Sequence, residues 1–334
     1  MIKNLVISGG GVKIIGALGV IKYLDENNIL KTIENYYGTS AGSILCLMLV
    51  LGFDSSEIIK FIEKFDLNKI FIINTDNIFT TFNICENNKL EKVIKLFINF
   101  KLGKISLLSD TDSFGMLSID NHYENITMGE LYKKTNKYLS ITSVCLDLKK
   151  AVYISHETFP NIPVWKAILM SCSIPLIFKP VEWENKLYID GGLIDNFPIF
   201  NINFEQIKYT LGIQIYLKSN DEPIQKTDDF TIYNYIFDLI KLVIEANTDI
   251  KTYNIISVKI DSSILDNFLN IDIDKNIKNK IINIGYEQTK IQFPLLFKNN
   301  ITTSDQSTQT NFKNNIITSD HSTQTNFRNR SNSI

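Results

Sequence analysis

Histidine is nearly missing from this chain: three residues in 334, namely His122, His156 and His321. So small a supply leaves little material for a histidine metal cluster and restricts any mechanism that needs an imidazole base. Cysteine is sparse too. Cys46, Cys85, Cys145 and Cys172 lie far apart, without C-x-x-C or zinc-type spacing. They read as buried thiols of a reducing compartment and not as a disulfide frame. Charge of one sign is also lacking: 34 basic residues face 36 acidic ones, for a net charge of −2, which argues against a nucleic-acid partner. Long apolar runs are absent. The longest, ILCLMLVLGF at 44–53, is about half of the roughly 20 residues that a membrane-spanning helix needs, and it reads as a buried helix. The opening MIKNLVISGGG has neither the apolar core nor the small-residue cleavage site of a signal peptide. These features place the chain in the cytoplasm, with export without a cleaved signal as the alternative.

What is present is material for one large α/β domain, with 44% hydrophobic residues. NLVIS at 4–8 is a short apolar run stopped by Gly9, Gly10 and Gly11, the pattern of a buried strand feeding a turn. Ile14, Leu18, Ile21 and Leu24 then recur at helical spacing. IENYYG repeats the cycle as a strand, followed by a helix from about Ser40. The alternation resumes with strands in KYLSITSVCLD and AVYISH, a helix around 162–172, and strands in KLYIDGG, YTLGIQIYL and ISVKI. Helices are predicted at about 230–253 and 275–297. This order predicts a three-layer α/β fold, its central sheet mainly parallel and covered by helices on both faces.

Residues 55–135 interrupt the alternation and read as a helical cap or insertion within a domain spanning 1–298. SSEIIKFIEKFD carries one apolar helical face, with Ser55 or Ser56 as its cap. Phe71, Phe79 and Phe82 are placed either along an acyl groove or in a small cap core. NNKLEKVIKLFINFKLGK is basic and amphipathic through Lys89, Lys92, Lys95, Lys101 and Lys104, with Val93, Leu96, Phe97 and Phe100. It is a candidate contact with a membrane surface, and equally a helix packed on the core with solvated lysines. From 299 to 334 a polar tract is repeated, NNITTSDQSTQTNFKN and then NNIITSDHSTQTNFRN, a composition that predicts a disordered tail.

Three motifs carry chemistry. The glycine turn SGGGVKIIGALG fails the dinucleotide pattern, because Ile14 stands where the third glycine belongs. It fails the phosphate-loop pattern as well, since Gly16 is followed by Ala17 and Leu18. What remains is a set of exposed amides at a helix N-terminus, suited to a developing oxyanion or serving only as a tight turn. Lys13 beside it reads as a surface lysine of the first helix, with a lipid phosphate as its alternative partner. GTSAG fits G-x-S-x-G through Gly38, Ser40 and Gly42, with a β-like flank before and a helical one after, as a nucleophile elbow requires. Its serine needs a base. His156 in YISHETFPN and His122 do not have the C-terminal position of a Ser-Asp-His order, and His321 falls in the polar tail. KLYIDGGLIDNFP offers Asp190 at a strand tip instead, before Gly191 and Gly192 that allow a sharp turn and close approach. By itself that stretch is also an ordinary Asp-Gly turn.

The three motifs together, in this order, resemble the patatin-like phospholipase family, whose hallmarks are an oxyanion glycine turn, a G-x-S-x-G serine and a D-G-G/A aspartate. SCSIPLIFKPVEWENKLYIDGGLIDNFP is similar to the family's run into D-G-G-x-x-x-N-x-P, through Pro175, Phe178, Pro180, Asn196 and Pro198. ITMGELYKKTNKYLSITSVCLD resembles its T-x-x-E-L segment and the strand after it. The likeness covers about residues 4–220, least so at 55–120, and Ile14 departs from the glycine many members carry. The resemblance implies a serine acyl hydrolase without metal or cofactor. Ser40 would be the nucleophile and Asp190 its base, with the amides of Gly10, Gly11 and Val12 as oxyanion hole. Gly9, Gly38, Gly42, Gly191 and Gly192 would support them. The implied substrate is a phospholipid or lysophospholipid at a peripheral membrane surface. A silent lipid-binding chain and a histidine-dependent esterase are the other readings.

Overall fold

The structure is a computed structural model, and it describes residues 1–64, 83–85, 87–103, 123–218, 232–248, 254–264 and 273–298. By compactness the chain divides into Met1–Pro294 and Leu295–Ile334. Within the first unit the strands are β1 (Asn4–Ile7), β2 (Asn35–Thr39), β3 (Asn83–Cys85), β4 (Tyr138–Cys145) and β5 (Lys150–Ile154). They continue as β6 (Leu176–Phe178), β7 (Val181–Trp183), β8 (Lys186–Asp190), β9 (Thr210–Lys218) and β10 (Ile255–Asp261). The helices are α1 (Ile15–Glu26), α2 (Ala41–Val50), α3 (Ser55–Lys64), α4 (Asn87–Leu102), α5 (Met128–Thr135), α6 (Val164–Cys172), α7 (Ile232–Ala246) and α8 (Lys275–Lys298).

The main sheet runs β10-β9-β1-β2-β4-β8-β7, with β5 pairing β4 off that path. β1, β2, β4, β9 and β10 are mutually parallel. Every residue of β1 is buried, as a central parallel strand covered on both faces requires. Helices cover both faces: α1 packs on β9 and β10, α2 on β1, β2 and β4, and α6 on β4 and β8. The expected mainly parallel α/β sheet is present. Its far side adds antiparallel pairing that the sequence did not announce, between β4 and β5, β4 and β8, and β7 and β8.

That pairing sets the site. β2 occupies one edge of β4 from Tyr138 to Thr142. β5 covers residues 141–145 of β4, so it overlaps β2 at Ile141 and Thr142 and must lie on the opposite edge. β8 pairs Ser143, Val144 and Cys145, which β5 already fills on its own side. β8 therefore continues the edge on which β2 stops. The two strands run in opposite directions and their C-terminal ends meet nose to nose, Thr39 beside Thr142 and Asp190 beside Ser143.

Around the sheet, two sequence expectations are corrected, and α4 follows one of its two readings. α3 is capped by Asp54, whose Oδ1 accepts from Glu57 N at 2.8 Å while Glu57 returns the bond to Asp54 N, and not by Ser55 or Ser56. α4 spends its apolar side on the core, burying Leu90, Ile94, Phe97 and Ile98 against α3 and α6. Lys95 reaches Glu91 and the Trp165 ring, and Lys101 reaches Glu57 and the Phe53 ring. Of the four apolar residues read as a membrane contact, only Phe97 is buried. Val93, Leu96 and Phe100 are half-buried, so α4 is a helix packed on the core that keeps part of that stripe near the surface. Lys13 is not on the surface either: it is 9% exposed. Phe71, Phe79 and Phe82, like Lys104, His122 and the repeated tail, lie outside the described residues.

Candidate active site

Ser40 follows directly on β2 and stands at the N-terminus of α2, with φ 52° and ψ −128°. A side chain in this left-handed region is strained, and small neighbours make the turn sterically feasible. A Cβ on Gly42 would collide with the carbonyl oxygens of Ile7 and Ser8, so only glycine lets α2 start against the end of β1. The elbow is then locked by hydrogen bonds that leave the Ser40 hydroxyl unspent. Ser40 N donates to Ser171 Oγ at 2.8 Å, and Ser171 Oγ donates to Thr142 O at 2.6 Å. Ser40 O accepts from Ser43 N and from Ser43 Oγ. The Ser40 side chain makes no capping bond to α2 and is 7% exposed.

Asp190 ends β8 and is 1% exposed. Its Oδ1 accepts from Gly192 N at 2.7 Å. Its Oδ2 is buried without a hydrogen bond of standard geometry in the resting site. Burial pushes the pKa of this carboxyl up to about 7, against smaller opposing effects from the Ser40 hydroxyl and the Gly192 amide. The proximity of that hydroxyl brings the two residues together as a loose pair. Cys172 stands beside them: its buried thiol faces the hydroxyls of Ser43 and Ser40, and burial, reinforced by Asp190, drives its pKa far up. It is one of three free, buried cysteines among the described residues, and it is protonated and inert at neutral pH.

The glycine turn completes the arrangement. Gly11 has φ 51° and opens a short helical turn, Gly11–Ile14, that leads into α1. Among the described residues, the amides of Gly10, Gly11 and Val12 donate to no acceptor, whereas Ser8 N, Gly9 N and Lys13 N do. Unspent amides at a helix start are what an oxyanion would need. A Cβ on Gly9 would strike Asn196 Oδ1 and come to 3.3 Å from Ser40 Cβ, so the turn lies against the serine. Asn196 holds it there: its Nδ2 donates to Gly9 O at 3.3 Å and to Thr248 Oγ1 at 2.6 Å, while Asn196 O accepts from Gly9 N. Lys13, next along the turn, is 3.8 Å from Glu245. Burial lowers its pKa, Glu245 opposes that, and Lys241 adds to it.

The D-G-G turn is fastened from a second side. Thr39 Oγ1 donates to Asp195 O at 3.0 Å and the Tyr153 hydroxyl donates to Asp195 Oδ2 at 2.7 Å. His156 is elsewhere. It stacks on Tyr132 at 3.7 Å and meets the edge of Tyr138, and it makes no hydrogen bond to Ser40. Sequence reasoning named Ser40, Asp190, Asn196 and the glycines. It missed Ser171, Cys172, Tyr153 and Asp195 as neighbours of the site, and Lys13 as a buried group.

A family model described as patatin-like phospholipase matches residues 5–201. A probable lipid hydrolase of Invertebrate iridescent virus 6 is 30% identical over 203 residues, covering 59% of this chain and 62% of that protein. An uncharacterized protein of Acanthamoeba polyphaga mimivirus is 29% identical over 304 residues, covering 87% of this chain and 90% of its own length. Among solved structures, VipD from Legionella pneumophila shares the fold, with a TM-score of 0.60 at 18% identity, over 88% of this chain and 67% of that one. With more than half of its length matched by the family model, and with the elbow, the D-G-G turn and the glycine turn gathered at one end of the sheet, this chain belongs to the patatin-like phospholipase family.

Proposed function

We propose that the chain is a serine acyl hydrolase that cleaves fatty acyl esters of membrane lipids, of the phospholipase A or lysophospholipase type. The observation that carries this reading is the pairing of a strained, uncapped Ser40 with a buried carboxylate whose pKa of about 7 suits a base at neutral pH. Asp190 Oδ2 takes the Ser40 proton as Oγ attacks the ester carbonyl. The amides of Gly10, Gly11 and Val12 receive the negative charge of the tetrahedral intermediate. Asp190 then returns the proton to the departing alcohol, leaving an acyl-serine. Water, deprotonated by the same carboxylate, attacks that ester, the fatty acid leaves, and the proton goes back to Ser40. The lipid class is supported by the family and by the lipid-hydrolase name of the iridescent-virus relative.

The test is fatty acid release from phospholipid, lysophospholipid and triacylglycerol, measured beside Ser40→Ala and Asp190→Asn. Release by the parent chain and its loss in both variants, each still folded, supports the dyad. Retained activity in Asp190→Asn would place the base elsewhere. A silent lipid-binding chain is the second reading, favoured by the near-complete burial of Ser40 and Asp190; lipid binding without release in any substrate would select it.

A further inference from the structure

Among the described residues, one amphipathic helix near the site has large apolar side chains that are exposed. On α7, Leu239, Leu242 and Val243 are 43%, 66% and 39% exposed, and Tyr235 is 49% exposed. At helical geometry these residues and Ala246 share an arc of about 100°. Asp238, Lys241 and Glu245 lie together on one flank of it, and Ile236, Ile240 and Ile244 turn the other way, half-buried. The end of this helix is fastened to the site. Asn247 Nδ2 donates to Leu193 O at 3.0 Å, on the turn that follows Asp190, and Thr248 Oγ1 accepts from Asn196, which also holds Gly9. Ile194, on the same turn, is 44% exposed.

We propose that the α7 stripe, with Ile194, docks this chain on a zwitterionic or neutral lipid surface and so sets the mouth of the Ser40–Asp190 site at the headgroup plane. This rests on the lipid-ester reading above. Three observations favour a lipid surface as the occupant. A lipid ester has to leave its bilayer to reach a serine that is 7% exposed, so the interface must lie beside the site, and this stripe does. The stripe itself carries no charge and its flank sums to −1 from Asp238, Lys241 and Glu245. That gives no complement to anionic headgroups or to an acidic partner, so attraction comes from apolar area. The other amphipathic candidate, α4, has buried Leu90, Ile94, Phe97 and Ile98 in the core, and its Val93, Leu96 and Phe100 are half-buried, less open than the α7 stripe.

The test uses the full chain carrying Ser40→Ala, so that no turnover occurs, and sedimentation with phosphatidylcholine vesicles. Binding is expected, unchanged by high salt or by added phosphatidylserine. Adding Leu239→Glu and Leu242→Glu should weaken it at least roughly tenfold, since both residues already face solvent and the substitutions leave the fold intact. In the Ser40 background the same pair should cut release from vesicles by a similar factor and leave hydrolysis of soluble p-nitrophenyl butyrate within about twofold. Vesicle binding that survives the pair, or that requires phosphatidylserine and vanishes in salt, overturns the proposal. So does a dimer in light scattering that the pair dissociates, because the stripe would then belong to a second copy. A chain inactive on the soluble ester, yet bound to vesicles through α7, would remove the hydrolase reading and leave the docking surface standing.

Discussion

Ser171 on α6 accepts the backbone N–H of Ser40 at 2.8 Å, so the elbow that carries the proposed nucleophile is held from outside its own turn. The same hydroxyl donates to Thr142 O on β4. Ser171→Ala leaves a buried donor and a buried acceptor unpaired, each worth about 1–3 kcal/mol. The expected result is a lower melting temperature and a fall in kcat with little change in KM for a soluble ester. Unaltered kinetics would mean that α2 alone fixes the elbow.

In the proposed mechanism Asp190 acts as a base only when ionised, and burial raises its pKa to about 7. Hydrolysis should therefore rise with pH through an acid limb near 7, where an ordinary carboxylate would give one near 4. The stability sign follows from the same shift. A folded pKa raised above the unfolded one favours the fold at acid pH, and that contribution is lost as pH rises through about 7. Asp190→Asn, which keeps the Oδ1 acceptor for Gly192 N, should melt roughly 2–5 °C higher than the parent at pH 8. The two proteins should converge below pH 4.

The backbone strain at Ser40 is separable from its chemistry. Its φ of 52° costs about 1–3 kcal/mol in a residue with a side chain, and glycine adopts it freely. Ser40→Gly should abolish ester hydrolysis and raise the melting temperature, as read by calorimetry. A neutral or lower melting temperature would show that the elbow carries no strain for glycine to relieve.

Two glycines of the site differ in what a methyl would meet. On Gly42 it meets the backbone of β1, while on Gly10 the nearest atom is Ile14 N at 3.6 Å. Gly42→Ala should cost about 1–3 kcal/mol or more and push the elbow off the glycine turn. Gly10→Ala should fold with an unchanged melting temperature. Equal melting temperatures for both would contradict the close approach of α2 to β1.

His156 is stacked on Tyr132 and not on the serine. His156→Phe keeps a flat ring in that stack, and vesicle and soluble-ester activities should both stay within about twofold of the parent. A loss of kcat comparable to that of Ser40→Ala would restore a histidine-dependent mechanism.

The parts legible in the sequence are those with a local signal. β1, β2 and β8 announce themselves because an apolar run stops at a glycine or at the serine elbow, and the same stops mark where the chemistry sits. Strand direction has no such signal: KLYID reads the same whether β8 runs with β4 or against it, and the antiparallel pairing came only from the structure. Ser171 and Cys172 sit in a buried helix whose residues give no hint of which face meets β4. Lys13 read as a surface residue because Glu245, which stands against it, comes from a distant part of the chain. The apolar spacing of α4 was visible, but spacing cannot tell a core from a membrane.

The meeting of β2 and β8 along one edge of β4 makes the distance between Ser40 and Asp190 a property of strand endings and not of loops. A slip of β8 by one residue would turn Asp190 to the opposite face of the sheet. Lengthening the connection between β7 and β8, or the segments that lead into the elbow, leaves both endings where they are. The proposed chemistry of Ser40 and Asp190 is thereby insulated from the parts of the chain best able to vary, and on that proposal selectivity for one lipid over another can drift in those parts while the two residues stay in register.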